Sequence, residues 1–203
     1  MSSLAPLFPS RSQGFFVYTV SYQRWETRMK QTGQGIVLLN TGAGKGKTTA
    51  ALGLVFRAWG HGLATCIIQF MKAETGRWGE VKAAQKLGLE WHQIGQGFTW
   101  NEDQALSIQK AKQGWKLAQE KILSGSYHLI VLDEFTYPLH YGWLDTEKVI
   151  RWLEGNKPDA LHVVLTGRDA PRALIAYADL VTEMNNIKHP YDSGRKAQKG
   201  IEF

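Results

Sequence analysis

Ile36-Val37-Leu38-Leu39-Asn40-Thr41-Gly42-Ala43-Gly44-Lys45-Gly46-Lys47-Thr48-Thr49 is the stretch on which the reading of this chain turns. Its first four residues are apolar without alternation, as in a strand covered on both faces. A glycine-rich turn follows at once. Lys47 then opens a segment carrying Ala50, Ala51, Leu52, Leu54, Val55 and Ala58, a helical spacing of good helix formers. A strand, a glycine-rich turn and a helix in that order are the setting a phosphate-binding loop requires. Glycines let backbone N–H groups turn inward on phosphate oxygens, and the helix N-terminus adds positive potential. Thr41, Gly42, Ala43, Gly44, Lys45, Gly46, Lys47, Thr48 and Thr49 are therefore the expected triphosphate cradle. Lys47 is placed to neutralise terminal phosphate charge, and the Thr48 hydroxyl to reach Mg²⁺ or Mn²⁺. The loop departs from G-x-x-x-x-G-K-[ST] at one point, because Thr41 stands where the first glycine is usual.

Downstream of the loop the chain alternates. Helix is expected at 47–59, ended by Gly60 and Gly62, then strand at 64–70, helix at 79–87 and strand at 89–94. A long helix is expected at 101–123, with Asn101 as its cap, followed by strand at 127–132, helix at 145–153 and strand at 161–166. A helix opened by Pro171 at 171–178 and a last strand at 179–183 complete the series. Strands alternating with helices imply an α/β fold, a single RecA-like P-loop domain whose mostly parallel sheet has helices on both faces. Residues 35–203 read as that domain. Residues 1–34 read as an N-terminal tail, loose and rich in Ser, Pro and Gly at 1–14, with a short helix expected at 18–30.

The second informative stretch is Leu129-Ile130-Val131-Leu132-Asp133-Glu134. A buried apolar strand delivers carboxylates at its C-terminal end, where ligands sit in open α/β sheets. Thr48 and Glu134, with Asp133 in support, are the expected metal ligands. Arg168 follows another apolar strand and either faces phosphate or is a surface arginine.

Bulk properties narrow the class. With 203 residues, 43% of them hydrophobic, the chain is long enough for one α/β domain with a sizeable core. No apolar run is long enough to cross a membrane, and no secretory signal is read at the N-terminus. One cysteine, Cys66, excludes an internal disulfide and fits a reducing cytoplasm; its apolar surroundings read as a buried strand rather than as the setting of a nucleophile. A net charge of +6 suits a polyanion. The basic residues are dispersed apart from Lys188, Arg195, Lys196 and Lys199, so charge points to a triphosphate before nucleic acid. Of the eight tryptophans, Trp91, Trp115 and Trp152 lie in patterned segments and read as packing residues. The six histidines show no metal-ligand spacing.

Phosphate binding alone leaves the chemistry open among kinases, ATPases, GTPases and transferases. No guanine-reading N-K-x-D motif is present. The run Thr41–Ala51 resembles the phosphate loop of the ATP:corrinoid adenosyltransferases of cobalamin biosynthesis. So do Arg57-Ala58-Trp59-Gly60-His61-Gly62, Gln69-Phe70-Met71-Lys72, Gly97-Phe98-Thr99-Trp100, Val131-Leu132-Asp133-Glu134-Phe135-Thr136-Tyr137, Leu165-Thr166-Gly167-Arg168 and the run 188–203, in order across 35–203.

The resemblance implies transfer of the 5′-deoxyadenosyl group of ATP to the Co(I) of a cob(I)alamin-type corrinoid, with triphosphate leaving. It assigns Lys47 and Glu134 to that chemistry, with the nucleotide held in a sense reversed from most P-loop enzymes. It also implies that Phe98 and Trp100 lie over the lower corrin face and exclude an axial ligand. Without it, both would read as loop aromatics packed on the core. A homodimer and a flavin-dependent reductase partner are further implications, and His189 gains interest from the matched C-terminal run. Two departures stand out: the N-terminal helix is shorter than the family's, and Ala43 replaces a commoner asparagine. Other readings are a RecA-like ATPase acting on nucleic acid and a nucleotide-binding regulatory module without chemistry.

Overall fold

The structure is a computed structural model that describes residues 33–73, 78–95 and 104–201. The expected loose tail, the 18–30 helix, the Asn101 cap and the aromatic pair Phe98 and Trp100 all lie outside the described residues. Residues 32–203 form one compact unit.

Six strands make one sheet: β1 (Val37–Thr41), β2 (Thr65–Ala73), β3 (Glu90–Gly95), β4 (Leu129–Asp133), β5 (His162–Thr166) and β6 (Leu180–Glu183). Their order is β3-β2-β4-β5-β1-β6, and every pairing is parallel. The mostly parallel sheet of the sequence reading is thus parallel throughout. Successive side chains of a strand point to opposite faces. On β4, Ile130 and Leu132 join the larger core, while Leu129 and Val131 join the smaller one.

Helices α1 (Lys47–Gly60), α2 (Gly79–Leu87), α3 (Gln104–Leu123), α4 (Thr136–His140), α5 (Thr146–Asn156) and α6 (Arg172–Tyr177) connect the strands. Helix α1 buries Ala51 and Val55 against the smaller core. Ala118 and Ile122 of α3, Leu139 of α4, Val149, Ile150 and Leu153 of α5 and Leu174 of α6 cover the other face. Trp115 joins that core beside Phe135 and Trp152, at ring separations of 5.5 and 5.3 Å.

Helix boundaries follow local chemistry. Asp145 lies outside α5 as its cap, its carboxylate accepting from the Lys148 backbone N–H at 3.0 Å. Pro171 likewise stands before α6 rather than inside it. Helix α4 has no counterpart in the sequence reading. Strand β6 is exposed along its length, as the outer strand beside β1. Among the described residues, no helix is long and apolar enough to cross a membrane.

The consequence for function is positional. Strands β4, β5 and β1 are consecutive neighbours, and all run the same way. The loop after β1, the acids at the end of β4 and Arg168 after β5 therefore emerge side by side at one edge of the sheet.

Candidate active site

The glycine-rich loop leaves β1 and enters α1 through Gly46, whose φ of 104° is a left-handed conformation natural to glycine. Gly44, Lys45, Gly46, Lys47, Thr48 and Thr49 line a cleft of about 850 Å³, joined there by Glu134 and Arg168. Thr41, Gly42 and Ala43 are not among its lining residues; Thr41 and Gly42 lie beside the chain that follows β6. Met184 donates its N–H to the Thr41 carbonyl at 2.8 Å, and its own carbonyl accepts from the Gly44 N–H at 2.6 Å. A Cβ on Gly42 or Gly44 would come within 2.5 or 2.7 Å of the Met184 carbonyl oxygen. These two glycines are thus demanded by the strap behind the loop, a requirement invisible in the loop's own sequence.

Lys47 folds back over the loop. Its Nζ donates to the carbonyls of Gly42 at 2.7 Å and Gly44 at 2.5 Å. Burial, and then the Arg168 guanidinium, push its pKa below the ordinary value, while Glu134, Asp169 and Asp133 pull the other way. The described lining of the cleft sets the cations Lys45, Lys47 and Arg168 beside the carboxylates Glu80, Glu134 and Asp169.

Asp133 is 0% exposed and does not line the cleft. Its Oδ1 accepts from the hydroxyls of Thr48 at 2.9 Å and Thr166 at 2.6 Å, and its Oδ2 accepts from Gln69 at 2.8 Å. A buried carboxylate held by three donors is fully satisfied. Its part in the arrangement is to hold the Thr48 hydroxyl at the start of α1. Glu134, one residue on, turns into the cleft with a φ of 60°, which a non-glycine residue adopts only when its surroundings enforce it. The Thr166 hydroxyl accepts the Glu134 N–H at 2.9 Å and so secures that turn. Arg168 is exposed at the cleft wall.

Two residues the sequence reading did not single out for the site also line the cleft: Tyr137 of α4 and Tyr141, which caps it. Thr136, at the start of α4, donates its hydroxyl to the Arg168 carbonyl at 2.5 Å, tying that helix to the end of β5. The C-terminal Gly200 and Ile201 reach the same cleft.

Elsewhere, Cys66 is fully buried, and burial pushes its thiol up to about 12. Cys66, Glu90 and His92 bring their ligand atoms within 4.8 Å of one another. The Lys121 ammonium, 2.6 Å from Glu90 Oε1, already neutralises that carboxylate, which also accepts from His92 at 2.6 Å and from the Tyr127 hydroxyl. We read this cluster as a structural network. The rings of His128 and His162 accept backbone N–H groups from Ala64 and Ile36, each at 3.2 Å. His189 caps a short 3₁₀ turn, accepting the Tyr191 N–H at 3.0 Å.

The family model for ATP:corrinoid adenosyltransferases of the BtuR/CobO/CobP type matches residues 33–203. This chain belongs to that family. Among its relatives, the corrinoid adenosyltransferase of Sinorhizobium sp. is 42% identical over 174 residues, covering 84% of this chain and 81% of the relative. That of Pseudomonas aeruginosa is 39% identical, covering 84% of each. That of Escherichia coli K12 is 36% identical over 195 residues, 90% of this chain and 97% of the relative. As a corrinoid adenosyltransferase the chain carries out ATP-dependent adenosylation of corrinoids, and its substrates are ATP and a corrinoid.

Proposed function

We propose that residues 35–203 form a P-loop domain that binds ATP by its triphosphate in the Gly44–Thr49 cradle and transfers its 5′-deoxyadenosyl group to Co(I) of a cob(I)alamin-type corrinoid. The observation that carries this reading is the convergence of the glycine-rich loop, Glu134 and Arg168 on one cleft. In the reaction the Co(I) lone pair forms a Co–C bond at C5′, and the C5′–O bond breaks with its electron pair passing to the departing triphosphate. A nucleophile that strong needs no general base. The protein's task is electrostatic: Lys47, Lys45, Arg168 and the loop amides stabilise charge on the leaving triphosphate. Lys47, resting on the Gly42 and Gly44 carbonyls, exchanges those acceptors for phosphate oxygens when the nucleotide enters.

Thr48 and Glu134 offer hard oxygen donors suited to Mg²⁺ or Mn²⁺, with Asp133 fixing Thr48 from behind. Bound there, such an ion would add Lewis-acid stabilisation of the triphosphate. Phe98 and Trp100 are assigned, on family resemblance, to excluding an axial ligand from cobalt. Resemblance likewise supports a homodimer and a flavin-dependent reductase as electron donor, and the single cysteine supports a cytoplasmic location.

The test mixes the protein with ATP, Mg²⁺ and chemically reduced cob(I)alamin. Loss of the Co(I) absorbance with growth of an alkyl-cobalt spectrum and release of triphosphate is expected. ADP formation stimulated by single-stranded DNA, or tight ATP binding without turnover, would overturn the proposal.

A further inference from the structure

We propose that Tyr137 and Tyr141 form the stacking wall that holds the purine base of the nucleotide. This rests on the reading of the Gly44–Thr49 loop as the phosphate cradle and adds where the other end of the nucleotide lies. The two rings stack on each other with centroids 6.2 Å apart and planes 23° from parallel. Both line the cleft that contains the cradle. They are the aromatic side chains among its described lining residues.

The wall is built to be rigid. Helix α4 starts directly after Phe135, which is fully buried with its ring 4.9 Å from that of Phe70 and 5.5 Å from Trp115. Pro138 and Leu139, between the two tyrosines, are buried as well. Tyr141 is braced by His140 edge-on at 5.2 Å and by the tilted ring of Trp143 at 5.2 Å. Yet it remains 40% exposed, so ring surface is left open. A fixed aromatic with open surface binds a flat conjugated ring at little entropic cost.

The size of the cleft is compatible with a nucleotide as occupant. At about 850 Å³ it is a single small-molecule site, within the range of roughly 300–1,000 Å³ usual for one drug-sized ligand. The molecule whose phosphates fill the cradle is then the one whose flat ring meets the wall. The ribose that joins the base to the triphosphate keeps the base within reach of the same cleft. Stacking tolerates any purine, so the wall adds affinity for the base without reading its edge.

The experiment compares binding of MgATP and of inorganic tripolyphosphate by calorimetry, in wild type, Tyr141→Leu and Tyr141→Phe. Tyr141→Leu should weaken ATP about tenfold while leaving tripolyphosphate unchanged, and Tyr141→Phe should bind ATP like wild type. A thermal melt of each variant confirms folding, and Tyr141→Phe keeps the ring should the leucine variant unfold; weakened ATP binding by that folded phenylalanine variant would overturn the proposal. Unchanged ATP affinity in a folded Tyr141→Leu protein, with a raised KM for corrinoid, would assign the wall to the corrinoid and overturn it too. So would equal weakening of ATP and tripolyphosphate, which would trace the effect to the cradle. Failure of wild type to alkylate cobalt would count against the proposed reaction while leaving these binding data intact.

Discussion

The Thr48 hydroxyl donates to the Asp133 carboxylate across 2.9 Å, joining residues 85 positions apart and fixing the start of α1 to the end of β4. Neither residue reaches this geometry alone, because Asp133 is also held by Gln69 and Thr166.

Asp133→Asn keeps the shape and removes one acceptor. An amide N–H₂ then faces a donor, leaving a buried polar group unsatisfied at a cost of about 1–3 kcal/mol. Urea denaturation should show a loss of that size. Adenosylation should fall more than stability does, because Thr48 loses its anchor. A variant with wild-type turnover would show that the Thr48–Asp133 bond is dispensable.

Lys47→Ala should reduce kcat by roughly 10²–10³-fold, the scale seen when one preorganised group facing developing charge is removed. Its melting temperature should hold or rise slightly, since a partly buried ammonium is lost with it. Stopped-flow loss of the Co(I) band measures the first quantity and calorimetry the second.

Gly44→Ala tests the strap. The added methyl meets the Met184 carbonyl oxygen at 2.7 Å and the Asn185 carbonyl carbon at 2.8 Å, so loop or strap must move. A loss of about 1–3 kcal/mol in stability is expected, with weakened ATP binding. Gly53→Ala, on the exposed part of α1 where a Cβ meets nothing within 4 Å, is the control and should be neutral or stabilising.

Glu90 supplies a pH prediction. Burial raises its pKa, but hydrogen bonds from Lys121, Tyr127 and His92 outweigh that and lower it from 4.5 to about 2. A carboxylate with a depressed folded-state pKa stabilises the fold above its unfolded value and loses that contribution as pH falls through the folded one. Glu90→Gln should therefore melt about 1–4 °C below wild type at pH 7, on the scale of a half-exposed ion pair. The gap should close between pH 4.5 and about 2. A gap independent of pH would place the effect in packing.

The Phe98→Ala and Trp100→Ala variants should mainly slow reaction started from Co(II). Equal loss when the reaction starts from Co(I) would remove the ligand-exclusion role.

The parts of the site that sequence revealed are local. The strand 36–39, the loop and the helix from Lys47 are contiguous, so glycine content and apolar spacing suffice to read them. Glu134 was legible because an apolar strand must end in something polar at the ligand edge; Asp133, expected beside it, is instead buried and holds Thr48 from behind. Helix α4 escaped because five residues with Pro138 in the middle show no period. Tyr137 and Tyr141 escaped with it. Strand order escaped because in a parallel sheet partners are set by packing of distant segments rather than by short turns. The role of Met184 escaped for the same reason, since it bonds a loop about 140 residues earlier in the chain.

Thr166 carries a consequence for assembly. Its one hydroxyl grips Asp133 and receives the Glu134 N–H, so it acts as a registration pin between β5 and β4. A one-residue slip of β5 would turn that hydroxyl to the opposite face and release both acids at once. Correct alignment of two neighbouring strands and completion of the acidic corner beside the loop are then a single event, and a refolding chain should regain sheet protection and ligand affinity on the same time course.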